Sequence, residues 1–139
     1  MSNSLASLFK SLTTGVYVVG VAHGEARNAF TAAFVMQASY DPLLLALSIN
    51  PHHSSYGLLQ QGGAFSVNVL TKGQLELAAR FGAPAGFGKL ASTEWTPGST
   101  GVRRLLRVSL LVDHRLRDRE NHTLVNCGSC LLDKILCLV

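Results

Sequence analysis

Between Asn28 and Ile49 the chain carries one charge, Asp41, in the run NAFTAAFVMQASYDPLLLALSI. The run reads as buried strand. Yet Asn28, Thr31, Gln37, Ser39 and Asp41-Pro42 place small polar groups inside it at intervals. Past the Asp-Pro break, LLLALSI is continuously apolar, which suits a strand covered on both faces. A chain that folds around such a segment needs a sheet with two covered faces and a reason for the polar interruptions.

The remaining sequence supplies the partners. GVYVVGVA has the β-branched density of a strand. HGEAR reads as a hairpin turn, with Gly24 at the tight position, and the next strand is expected to begin near Asn28. NPHHSSYGLLQQ leaves the buried strand, turns at Asn50-Pro51 and offers Ser54 or Ser55 as a helix cap. Gly62-Gly63 stops that helix. AFSVNVL alternates Phe65, Val67 and Val69 with Ser66 and Asn68, and Thr71-Lys-Gly-Gln74 is a capping-box pattern ahead of LELAARF. At the N-terminus, Leu5, Leu8, Phe9 and Leu12 recur at helical spacing. This predicts a short helix over 4–12, capped by Ser2, Asn3 or Ser4, with its apolar stripe on the core. Residues 82–101, rich in Gly, Pro, Ser and Thr, are expected to form a loop. Two last strands are expected at roughly 103–116 and 121–133, joined by a turn at Arg119-Glu-Asn.

Strands outnumber helices and do not alternate with them as in βαβ units. The expected class is mainly β: an antiparallel, closed or half-closed barrel with a few short helices, which manages its edges better than an open sheet. At 139 residues the chain is expected to form a single domain, 1–139. Hydrophobic residues make up 47% against 14% charged, which excludes a disordered chain. It also implies more apolar surface than one small domain hides, hence a subunit interface. No apolar run is long enough to span a bilayer and no signal peptide is seen, so a cytoplasmic protein is expected.

The net charge of +4 is local: Arg103, Arg104, Arg107, Arg115, Arg117 and Arg119 fall together, opposed by Asp113 and Asp118. Such a patch fits a solvated strand face, a small anionic ligand or nucleic acid. No aromatic interleaving supports stacking on bases. Cys127, Cys130 and Cys137 cluster in the last thirteen residues. Cys127-Gly-Ser-Cys130 has dithiol spacing but no second pair to complete four metal ligands, and on a strand the two thiols would point to opposite faces. Buried structural cysteines are the expectation. His52-His53 makes a poor metal pair, because adjacent side chains rarely converge.

Three stretches carry chemistry. Thr31-Ala32-Ala33 offers a hydroxyl beside two methyl-sized side chains, with Gln37 and Ser39 repeating the polar spacing. This resembles one wall of a slot for a planar, hydrogen-bonding heterocycle; close packing within a sheet uses the same residues. Asn50-Pro-His-His-Ser-Ser-Tyr56 enters a helix start, whose free N–H groups favour phosphate, or is a plain capped turn. Glu120-Asn121-His122 places an acid, an amide and an imidazole at a strand mouth, suited to orienting a substrate or moving a proton, or to closing a turn. No GxSxG, P-loop or GxGxxG pattern is present.

Taken in order, these elements resemble the flavin reductase-like family of FMN-binding split barrels. The family includes the small reductase components of two-component monooxygenases and flavoredoxin-like proteins. The likeness begins at FKSLTTGVYVVGVAHGE and is densest over NAFTAAFVMQASYDPLLLALSIN. It continues through SSYGLLQQGGAFSVNVLTKGQLELAARFG to ENHTLV, where members usually show Gly-Asp-His and a strand, and covers about residues 9–126. The resemblance implies an FMN-binding homodimer, FAD being a second candidate, with the cofactor at or near the subunit interface. It implies hydride transfer from NADH or NADPH to the flavin, and a monooxygenase as a partner.

Carried over, Asn28, Phe30, Thr31, Ala32, Ala33, Gln37, Ala38 and Ser39 would border the ring and ribityl chain. Asn50, His53, Ser54, Ser55 and Tyr56 would lie near the phosphate. Phe81 would approach the flavin, and His122 would stand near flavin and nicotinamide as the catalytic residue. Asn28 and Ala33 stand where Gly and Ser are frequent, and Glu120-Asn121 stands for Gly-Asp. Members usually continue through at least one more strand beyond DKILCLV; a missing closing strand would leave an exposed edge, require a partner's strand or reflect a shortened sequence. The second function the residues allow is a flavin-binding electron-transfer or storage protein without nicotinamide activity. The third is a basic barrel that binds nucleic acid.

Overall fold

The computed structural model describes residues 7–41, 43–84, 86, 88–97, 103–105, 110–115 and 135–138. His122, Cys127, Cys130, Arg107, Arg117, Arg119 and the strand expected at 121–133 lie outside them. Nine strands and two α-helices are present among the described residues, besides helical residues at 7–9. In chain order they are β1 (Tyr17–His23), β2 (Ala26–Ala32), β3 (Val35–Tyr40), β4 (Leu43–Ser48), α1 (Tyr56–Gly62), β5 (Ala64–Val69), α2 (Leu75–Gly82), β6 (Trp95–Pro97), β7 (Arg103–Leu105), β8 (Leu110–Arg115) and β9 (Ile135–Leu138). The protein is mainly β with few helices.

One sheet has the order β2-β1-β5-β8, a second β3-β4-β9 and a third β6-β7. All pairings are antiparallel. The β1–β2 hairpin turns at Gly24, whose φ of 56° is left-handed backbone that glycine adopts without a side-chain penalty. β2 starts at Ala26, two residues ahead of the expected start near Asn28. Strand alternation sends Val19, Val21, Phe30, Ala32, Phe65 and Val67 to one face of the first sheet. There they meet Leu47 from the second sheet, Ile49 just past the end of β4, and Tyr56 and Leu59 from α1. On the other face Val18 and Ala29 pack with Phe81 of α2. This sheet is therefore covered on both faces, as is β4 around the buried Ala46 and Leu47.

Inside that sheet Asn68, fully buried, donates from Nδ2 to the Val18 carbonyl at 2.8 Å. The polar side of the AFSVNVL alternation thus faces packed protein with its hydrogen bonds made. α1 ends at Gly63, whose φ of 62° lets its N–H reach the Leu59 carbonyl. The Thr71–Gln74 capping box is formed, and it opens a 3₁₀ turn, Lys72–Gln74, that leads into α2.

Two expectations change. Among the described residues the N-terminal helix ends at Phe9 and not Leu12, and Leu8, Phe9 and Leu12 are each about two-thirds exposed, so their stripe does not lie on this chain's core. The 82–101 segment contains a strand, β6, because Trp95–Pro97 pairs with Arg103–Leu105. Within the strand expected over 103–116, the described stretches are β7 and β8, which pair in different sheets.

Candidate functional site

Two clefts open along β2 and its exit. The first, about 380 Å³, lies between β2, the turn after β4 and the segment following α2; Asn28, Phe30, His53, Ser54 and Lys89 are on its walls. β2 presents Asn28 and Phe30 on one face by strand parity. The turn is set by Asn50: its Oδ1 accepts the His52 N–H at 2.9 Å and its carbonyl accepts the His53 N–H at 2.9 Å. Phe30 and His53 pack ring against ring, centroids 4.7 Å apart and planes tilted by 49°. Partial burial lowers the His53 pKa below its usual value, and the positive Lys89 lowers it further. The imidazole is therefore neutral at pH 7 while Lys89 is the cation of the cleft. Lys89 is itself anchored, donating from Nζ to the carbonyls of Phe81 and Ala83 at the end of α2.

The second cleft, about 610 Å³, is mostly apolar. It lies between the segment before β1, the β2–β3 link and β4, with Tyr17, Ala33, Phe34, Met36 and Ser48 among its walls. Ser48 Oγ is buried there with no hydrogen-bond partner among the described residues.

The expected site residues divide between these clefts, the core and the surface. Asn28, Phe30, His53 and Ser54 share the first cleft and Ala33 lines the second. Ala32 packs in the central core and Phe81 in the smaller one, each almost wholly buried. Thr31 donates from Oγ1 to the Ala78 carbonyl at 2.6 Å, a link from β2 to α2. Gln37 and Ser39 lie on β3, where Gln37 Nε2 donates to the Ser39 carbonyl at 3.3 Å. The β3–β4 register shifts between these two, at Ala38. Ser55 occupies the N-cap of α1 without capping it: its Oγ accepts from Asn28 Nδ2 at 2.9 Å. Tyr56 is buried in the core. Lys89 was not among the expected site residues. Its signal was a lone lysine in the glycine- and proline-rich 82–101 stretch.

The flavin reductase like domain family matches residues 9–132. The NADH-dependent FMN reductase AsuE2 of Streptomyces nodosus subsp. asukaensis is 36% identical over 103 residues, covering 72% of this chain and 55% of its own. The reductase subunit HsaB of a Mycobacterium tuberculosis flavin-dependent monooxygenase is 28% identical over 95 residues, 68% of this chain and 50% of its own. In fold, the crystal structure of a putative flavin reductase from Haemophilus somnus superposes with a TM-score of 0.83 at 20% identity, covering 99% of this chain and 84% of that one. The fold is thus shared with that structure, and the chain belongs to the flavin reductase like domain family. It spans about half the length of the curated relatives it matches.

Proposed function

We propose that this chain is an NAD(P)H:flavin oxidoreductase that binds FMN, with FAD as a second flavin, and transfers hydride from NADH or NADPH to it. The family match over residues 9–132 carries the reading. The site's chemistry fits the cofactor. Lys89, His53 and Ser54 in the first cleft make a donor set for a phosphate, and the apolar second cleft beside Ala33 suits an aromatic ring. When bound, FMN supplies the hydride acceptor, so no protein nucleophile is needed. The chain's own residues bind the tail, exclude water and hold the ring. His122 is the residue proposed to serve the nicotinamide side.

The architecture proposed is a split barrel: β2 passes into β3 through Ala33 and Phe34, and both sheets cover one core. The working form proposed is a homodimer. Leu8, Phe9, Leu12, Phe34, Met36 and Tyr40 are large apolar residues exposed on one chain, and a second copy would cover them. Delivery of reduced flavin to a monooxygenase, in the cytoplasm where both coenzymes are found, completes the proposal. It draws on relatives named as reductase components of monooxygenases.

The test is steady-state loss of nicotinamide absorbance with purified protein, NADH or NADPH, and FMN. Oxidation that depends on both protein and flavin supports the reading; a rate equal to buffer contradicts it. His122→Ala is expected to slow turnover more than it weakens FMN binding, and equal losses would make His122 structural.

A further inference from the structure

The Asn28 amide lines the first cleft, yet both its polar atoms are engaged inside the protein. Oδ1 accepts the Ala29 N–H at 2.9 Å and Nδ2 donates to Ser55 Oγ at 2.9 Å. Ser55 is fully buried, and its own N–H donates to His53 Nδ1 at 3.1 Å. A backbone N–H always carries its proton, so Nδ1 presents a lone pair and the imidazole proton sits on Nε2. The opposite tautomer would turn two N–H groups on each other and leave a buried amide without an acceptor. The residue is fixed from both sides: the His53 N–H bonds to the Asn50 carbonyl, and the His53 carbonyl takes the Tyr56 N–H at 2.9 Å. Phe30 packs on the ring. No described residue takes the Nε2–H, which belongs to a side chain on the cleft wall near the Lys89 cation.

We infer that Asn28 is a positioning residue: by clamping Ser55 it holds His53 as the Nε2–H tautomer, a neutral donor that works beside Lys89 to receive a phosphate monoester. The phosphate part rests on the flavin reading above; the tautomer lock does not. A neutral, directed donor next to one lysine has a physical advantage over a second cation. It adds a charge-assisted hydrogen bond to the ligand without like-charge repulsion in the free protein.

The experiment is long-range ¹H–¹⁵N correlation of the histidine rings in the full chain, at slightly alkaline pH, for wild type, Asn28→Ala and Ser55→Ala. The wild type is expected to show His53 with only Nε2 protonated. Either variant is expected to show a mixture of tautomers while the backbone amides of β1 and β5 keep their positions. A wild-type Nδ1–H ring, or variants that keep the pure Nε2–H form, would overturn the lock.

Inorganic phosphate is then titrated into each protein. It should shift the wild-type His53 ring and bind roughly tenfold more weakly to Asn28→Ala and His53→Ala. His53→Gln, whose amide nitrogen replaces Nε2, should recover most of the affinity. A locked tautomer that ignores phosphate would overturn the anion role. Phosphate binding without FMN binding would instead contradict the flavin reading and leave the positioning role standing.

Discussion

The Thr31 hydroxyl donates to the Ala78 carbonyl at 2.6 Å, joining the end of β2 to the first turn of α2 across 47 residues of sequence. Strand parity puts Thr31 on the face away from Phe30 and Ala32, toward α2. Its hydroxyl is a structural tie. Thr31→Val is therefore expected to lower stability by about 1 kcal/mol, read from the urea midpoint, while FMN affinity holds. Lost FMN affinity at unchanged stability would return Thr31 to the cofactor wall.

Ala32 carries the parallel expectation for the core. Its methyl packs among Val19, Phe30, Leu47 and Val67. Ala32→Phe is expected to overpack that cluster at a cost of about 1–3 kcal/mol, visible in chemical denaturation. An equally stable variant that has lost flavin would show instead that the side chain borders a slot.

Gly57 and Gly62, both in α1, make a matched pair. A side chain at Gly57 meets nothing nearby, so Gly57→Ala is expected to stabilise by about 0.5–1 kcal/mol. A Cβ at Gly62 would collide with the Ala22 carbonyl, a backbone atom that cannot rotate away. Gly62→Ala should be clearly destabilised in the same thermal melt. Equal melting temperatures for the two variants would contradict the close packing of α1 on β1.

His53 sets an acid-side dependence. Its folded pKa lies below the ordinary 6.5, so the unfolded chain binds this proton first as pH falls. The stability tied to a neutral His53 is complete above about pH 6.5 and is lost as pH falls from there through the lower folded value. Urea titrations from neutral to mildly acid pH should show this decline in wild type and a smaller one in His53→Gln. The same slope in both proteins would assign it elsewhere.

The sheet was legible where local chemistry and burial agree. The β-branched run of β1, the alternation of β5, Gly24, Gly63 and the Thr71–Gln74 box each specify backbone through one residue's own preferences. The candidate site was legible as a neighbourhood and less so atom by atom. Asn28, Phe30, His53 and Ser54 converge on one cleft, but Thr31 and Ala32, adjacent in sequence, point to opposite faces of β2. Which parity faces a ligand depends on what covers each face, and Phe81 from α2 covers one of them. Helical spacing at Leu8, Phe9 and Leu12 likewise marks a stripe without saying what meets it. Lys89 lies on the cleft wall from a stretch after α2 whose sequence carries no periodic pattern.

The most direct measurement is the absorption spectrum of the protein mixed with FMN without oxygen, before and after NADH or NADPH is added. The account predicts a flavin band altered by the protein that then bleaches on adding nicotinamide, faster than free FMN does. A band identical to free FMN, bleaching no faster than in buffer, would contradict it.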